Sequence, residues 1–169
     1  MGFAEQLLIN KAVLKEVKKQ RRNLITVWLD YAKAFDLVPH SSLFKALQLV
    51  KLSPKIIRLI EKISKNWATV VSLRSENETI ISDKIKYAKG IYQGDSLSVM
   101  LFILALNPLS YLFKQLKGYP AGQNRNINVT HNFFVDDLKL YNSSLNGMKK
   151  QLDLVTSFSR DIGMKFGED

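Results

Sequence analysis

Apolar residues recur at helical spacing through residues 3–19, where Phe3, Leu7, Leu8, Val13, Leu14 and Val17 are interleaved with Lys11, Lys15, Lys18 and Lys19. That period predicts an amphipathic helix with one face for a core and one for solvent. The next run, Leu24-Ile25-Thr26-Val27-Trp28-Leu29, is too continuously apolar to alternate, which predicts a central strand delivering Asp30 at its end. After a loop holding Pro39 and His40, residues 43–50 read as a short helix. Ser53-Pro54 then supplies an N-cap and a first-turn proline for a second helix carrying Ile56, Ile57, Ile60 and Ile63.

Residues 68–74 and 79–87 predict a hairpin about the polar turn Ser75-Glu76-Asn77-Glu78. The loop from Gly90 to Gly94 opens a long apolar helix that Pro108 should kink or split. Residues 118–122, bounded by glycines, are expected to turn, while Ile127, Val129, His131 and Phe133 alternate as a strand should. A second strand over residues 138–141 leaves Val135-Asp136-Asp137 at a hairpin bend. Met148, Leu152, Val155 and Phe158 stripe the last helix, Gly163 ends it, and residues 164–166 begin another strand. Elements in this order predict an α+β fold: an antiparallel sheet with helices packed on one face, in a split β-α-β, ferredoxin-like arrangement.

Composition narrows the function classes. At 169 residues and 46% hydrophobic, the chain suits one domain over residues 1–169 with a real core. Lysine and arginine outnumber acids by 25 to 15, a net charge of +10 that favours a polyanionic partner, nucleic acid first, over the plainer alternative of a solvated basic surface. Lys15, Lys18, Lys19, Arg21 and Arg22 form the densest cluster, which suits phosphate contacts, a solvated helix end or a nuclear-import patch. The absence of cysteine excludes a disulfide partner and a thiolate zinc site. The N-terminus lacks the apolar core and cleavage site of a secretory signal, so an intracellular place, nucleus or cytoplasm, is expected. Residues 96–113 carry no charge, but Ser96, Ser98, Asn107, Pro108 and Ser110 interrupt them, so a buried helix and no membrane partner are expected.

The candidate chemistry lies in three aspartates. Nucleotidyl transfer needs little covalent help from protein, because its charge builds on phosphate oxygens that divalent cations can compensate. Mg²⁺ keeps several sites for water and phosphate, so one or two carboxylates per ion suffice. Asp30 at a strand end and Asp136-Asp137 at a bend could meet if their strands are neighbours in the sheet. Taken alone, Asp136-Asp137 reads more readily as an ordinary solvated acidic turn, and Asp30 also reads as a strand-end residue entering a loop. His131 has no second histidine near it in sequence and is expected to pack rather than bind metal.

The residues around these aspartates carry a resemblance. Leu29-Asp30-Tyr31-Ala32-Lys33-Ala34-Phe35-Asp36-Leu37-Val38-Pro39-His40 resembles the first palm motif of the reverse transcriptases of non-long-terminal-repeat (LINE-type) retrotransposons. The stretch from Lys89 through Gln93-Gly94-Asp95 to Phe102 resembles the second motif, with Val99 where the family usually has proline. Phe133-Phe134-Val135-Asp136-Asp137-Leu138 resembles the third, and Ser159-Arg160-Asp161-Ile162-Gly163-Met164-Lys165-Phe166 the start of the fourth. The resemblance implies a polymerase palm with partial fingers and no thumb. It implies RNA-directed DNA synthesis with Mg²⁺ (or Mn²⁺), an RNA template, a DNA primer and dNTP.

By position, the resemblance makes Asp30 and Asp136 the principal metal ligands and Asp137 the third acid, at the primer end; together they are the expected catalytic residues. Tyr31, Phe35, Gln93 and Gly94 become nucleotide-binding positions. Phe35 would lie under the incoming sugar and exclude a 2′-hydroxyl, where its plain alternative is a core phenylalanine; Gln93-Gly94 read otherwise as a simple turn before the helix. A non-catalytic nucleic-acid-binding palm fragment and a degenerate retroelement relic are the alternative functions.

Overall fold

The computed structural model describes residues 3–75 and 78–167. Its centre is a three-stranded antiparallel sheet in the order β1 (Ile25–Leu29), β9 (Asp137–Asn142), β8 (His131–Phe134). Strand alternation sets its two faces. Leu138 and Leu140 of β9 point with Ile25, Val27 and Leu29 toward the long helices α5 (Ser96–Phe113) and α6 (Leu145–Asp161), where Leu109, Phe113, Met148 and Val155 complete a core. Lys139 and Tyr141 point the other way, toward α1 (Phe3–Gln20): the Asn10 side-chain oxygen accepts from Lys139 Nζ at 2.8 Å and from Tyr141 Oη at 3.0 Å. Helices therefore lie on both faces rather than one, because Val13, Ile9 and Val17 find apolar partners in Tyr119, Ala121 and Tyr141. The strand ahead of Asp30 is also an edge strand, not a central one; β9 holds the centre and is the more deeply buried.

A second layer sits beside this sheet. Between β1 and α5 run α2 (Ala34–Leu37), α3 (His40–Leu49) and α4 (Pro54–Ser64), one short helix more than the apolar pattern suggests. Ser53 stands at the N-cap of α4, with Pro54 at its first position, but its side chain makes no capping bond. The hairpin across residues 68–86 is two nested pairs, β2 (Ala68–Thr69) with β5 (Ile85–Lys86) and β3 (Ser72–Arg74) with β4 (Thr79–Ile81), closed where Ser75 N–H donates to Glu78 O at 2.8 Å. Glu76 and Asn77 of its expected turn lie outside the described residues.

Three expectations change in detail. The helix α5 runs unbroken through Pro108, since Ala105, Leu106, Leu109 and Phe113 on either side of the missing N–H are held in the core. By length and composition α5 could cross a membrane; one face is part of two core clusters, while Leu97, Met100, Ile103 and Tyr111 on the other are exposed, so it is covered on one side rather than buried all round. Residues 118–122 are not a bare turn: β6 (Tyr119–Ala121) pairs with β7 (Ile127–Val129). The long alternating strand breaks at Thr130, whose hydroxyl bonds His131 Nδ1 at 2.9 Å and separates β7 from β8.

Candidate active site

Asp30 leaves β1 at Leu29, which lies opposite Leu138 of β9. Asp137 opens β9 opposite Phe134, so Val135 and Asp136 form a two-residue bend at the same end of the sheet. Register thus brings residues about a hundred positions apart in sequence to one edge. Asp30 and Asp136 line a single cleft of about 340 Å³ together with Tyr31, Lys33, Phe35, Gln93 and Gly94. Two carboxylates face one lysine there, so the cleft is net negative.

Asp137 is one residue on, and the pleat turns it to the other side of the bend. It lines a slot of about 170 Å³ beneath α1 with Trp28, Phe134 and Lys139. Its carboxyl is nevertheless held above the usual range, first by burial and then by the negative charges of Asp136 and Asp30, so the three acids share one field. Among the described residues, no three His, Cys, Asp or Glu side chains close into a ready-made metal cluster. Asp30 and Asp136 on one cleft do match the one or two carboxylates that a hydrated divalent cation takes from protein.

The backbone around the cleft is strained in two places. Lys33 has φ 48° and Val135 φ 53°, left-handed conformations that a β-branched residue such as Val adopts at a cost of about 1–3 kcal/mol. Both are locked by neighbours: Lys33 precedes α2, and Val135 sits between paired Phe134 and Asp137.

The loop of residues 90–94 is strapped to the Asp30 segment. Gly90 N–H donates to Val38 O at 2.8 Å, Ile91 N–H donates to Phe35 O at 2.9 Å, and His40 Nε2 bonds Gly90 O at 2.8 Å. A Cβ on Gly90, at φ +93°, would meet Asp36 O at 2.8 Å, so the close approach requires glycine. Gly94, at φ +89°, has open space where its side chain would be, on the cleft itself. Phe35 stacks on Phe102 of α5, with ring centroids 4.7 Å apart, and still lines the cleft, so it serves core and site together.

The segment after α6 grips Asp30 from the opposite side. Gly167 N–H donates to Asp30 O and Ala32 N–H to Lys165 O, each at 3.0 Å. The Tyr31 and Phe166 rings stack at 4.9 Å, and Tyr31 Oη bonds Ser159 Oγ at 2.9 Å. The expected strand at residues 164–166 is this single bridge, Tyr31 with Phe166. Burial raises the Tyr31 hydroxyl pKa, against the Ser159 bond that lowers it. Tyr31 is thus a buried anchor. His40 and Ser159 close and open two of the quoted motifs, but their bonds to Gly90 O and Tyr31 Oη could not be read there, because each reaches a distant segment.

The basic cluster divides. Lys15, Lys18, Lys19 and Arg21 do not share the fate of Arg22, which bonds Glu16 at 2.7 Å and donates to Pro120 O at 3.2 Å; those four are exposed. His131 packs as expected, stacked on Phe113 at 4.6 Å. It bonds Ser110 Oγ at 3.0 Å.

The family model described as reverse transcriptase (RNA-dependent DNA polymerase) matches residues 1–169. The chain is 27% identical over 164 residues to a retrovirus-related Pol polyprotein from the type-1 retrotransposable element R2 of Nasonia vitripennis, covering 97% of this chain and 15% of that protein. It is 27% identical over 168 residues to the corresponding polyprotein of the type-2 element R2DM of Drosophila melanogaster, covering 99% and 15%. The chain therefore spans about 15% of the length of these relatives. In fold it is similar to apo telomerase from Candida tropicalis, with a TM-score of 0.69 at 15% identity over 98% of this chain and 31% of that one. A form of the same telomerase truncated from its C-terminal domain gives 0.66 at 19% identity, over 99% and 36%. With the whole length matched by the family model, the chain belongs to the reverse transcriptase (RNA-dependent DNA polymerase) family.

Proposed function

We propose that this chain is the palm of an intracellular RNA-directed DNA polymerase, acting as part of a longer retroelement protein on an RNA template, a DNA primer and dNTP. The observation that carries this is the shared cleft of Asp30 and Asp136, produced by the pairing of β1 with β9 and the bend between β8 and β9. Asp30 and Asp136 would hold Mg²⁺ or Mn²⁺, with Asp137 completing the acidic field on the primer side. When bound, the ions supply activation of the primer 3′-hydroxyl and charge compensation on the leaving pyrophosphate. The chain's own part is position. Phe35, fixed by Phe102, would lie under the sugar; Gly94 and Gln93 would let the nucleotide approach the backbone closely; and Tyr31 would fix the backbone that carries Asp30. Lys15, Lys18, Lys19 and Arg21, with Arg22 bound to Glu16, would face duplex phosphates.

Primer extension on an RNA template tests this reading. Asp30→Asn and Asp136→Asn should each abolish extension, at least about a thousandfold, with the circular dichroism spectrum unchanged. Extension that survives both substitutions rules the site out. A second reading, a non-catalytic nucleic-acid-binding palm, draws on the absence of a closed three-acid cluster among the described residues. It predicts salt-sensitive RNA binding by a chain that extends no primer, with affinity unaffected by either substitution.

A further inference from the structure

The end of the sheet away from the cleft carries a second concavity, of about 710 Å³, between the β6–β7 hairpin, the segment after α5 and the start of α6. Lys117, Arg125 and Lys150 line it, and no Asp or Glu does. All three are exposed, and among the described residues none of them forms an ion pair, unlike Arg22 with Glu16. Like charges gathered around a concave, acid-free surface focus positive potential into it and favour an anion with several charges.

The floor of the concavity is built. Asn142, 2% exposed, donates to Lys117 O at 2.8 Å and to Gln151 Oε1 at 3.1 Å. Asn128 accepts from Gly118 N–H at 2.7 Å and donates to Leu116 O at 2.8 Å. Any side chain at Gly118 would strike the Val129–Thr130 backbone, and one at Gly147 would strike Asn142. The amides of the floor are thus spent within the chain, while the rim side-chain amides of Gln115, Asn126 and Asn146 make no hydrogen bond among the described residues. Cations with side-chain amide donors and acceptors between them suit phosphodiester oxygens next to hydroxyls and base edges.

We propose that this concavity binds the phosphodiester backbone of a single-stranded nucleic-acid segment. The strand β9 runs from Asp137 beside the cleft to Asn142 in the concavity floor, five steps of about 3.4 Å and so about 17 Å. The site is therefore distinct from the carboxylate cleft, and it stands whether or not the chain copies RNA.

Binding of a short fluorescein-labelled single-stranded RNA, and of DNA of the same sequence, is measured over a salt series for four proteins. The triple variant Lys117→Gln, Arg125→Gln, Lys150→Gln should lower the slope of log K against log salt by about 2, near 0.7 for each phosphate that is no longer neutralised. A charge-matched variant, Lys55→Gln, Arg58→Gln, Lys62→Gln on α4, should leave the slope near that of the parent chain. Asn146→Asp adds an acid to the rim in the first turn of α6, where it should raise the melting temperature slightly and still weaken binding severalfold. A greater drop in affinity with RNA than with DNA assigns part of the recognition to 2′-hydroxyls; equal drops assign it to phosphates. Equal slopes for the two triple variants, or an Asn146→Asp protein that binds as tightly as the parent, would overturn the proposal.

Discussion

Gly90 shows how little room a single residue can have. A Cβ built on it would meet Asp36 O at 2.8 Å, its φ is +93°, and its N–H and C=O are both bonded to the Asp30–His40 segment. Gly90→Ala should cost about 2–3 kcal/mol, from left-handed strain plus a backbone clash, and urea denaturation would measure it. His131 gives a pH dependence. Burial, and then the Lys114 charge, lower its pKa from 6.5 to about 4. Between those values the unfolded chain binds the extra proton, so stability rises with pH from about 4 to 6.5 and is flat with respect to this group on either side. The swing is on the order of 3 kcal/mol, and it should vanish from the difference between acid and neutral urea midpoints in His131→Gln.

At the scale of elements, the strands bearing the acids were legible because they combine a β-rich apolar run with an abrupt carboxylate. The order of strands was not: β1 is as apolar as a central strand because α6 and the core of α5 cover it, although it lies at the edge. Residues 118–122 looked like a turn from their two glycines. Gly118 is needed instead for close approach to the Val129 backbone, a contact no local pattern encodes. The motifs pointed to the three acids, but the field they share and the pleat that turns Asp137 away from the cleft depend on register. The joint between β9 and α6 was equally invisible, since its polar residues act only in the fold: Gln151, fully buried, donates to Thr130 O at 3.1 Å and accepts from Asn142. Asn142→Leu should therefore cost about 2–4 kcal/mol by stranding Lys117 O and Gln151 Oε1, read as a lower urea midpoint at unchanged m-value.

Across the whole molecule, acid and base are segregated. The chain carries +10 overall, yet its cleft holds two acids against one lysine, while the opposite end of the sheet holds three cations and no acid. Such a distribution draws a polyanion broadly toward the protein and leaves one negative spot suited to a divalent cation. Mg²⁺ should accordingly raise the melting temperature of the parent chain, by mass action on the folded state, and should leave that of Asp30→Asn unmoved. An identical rise in both proteins would place the bound ion elsewhere.

Residues 159–167 hold Asp30 through the Ser159 hydroxyl, the Phe166 ring and two backbone bonds. The cleft is therefore completed only once those residues have been synthesised and have left the ribosome. A nascent polypeptide with both strands and the bend already made would still lack the brace for its first acid, so the support beneath Asp30 is the last part of the cleft that translation supplies.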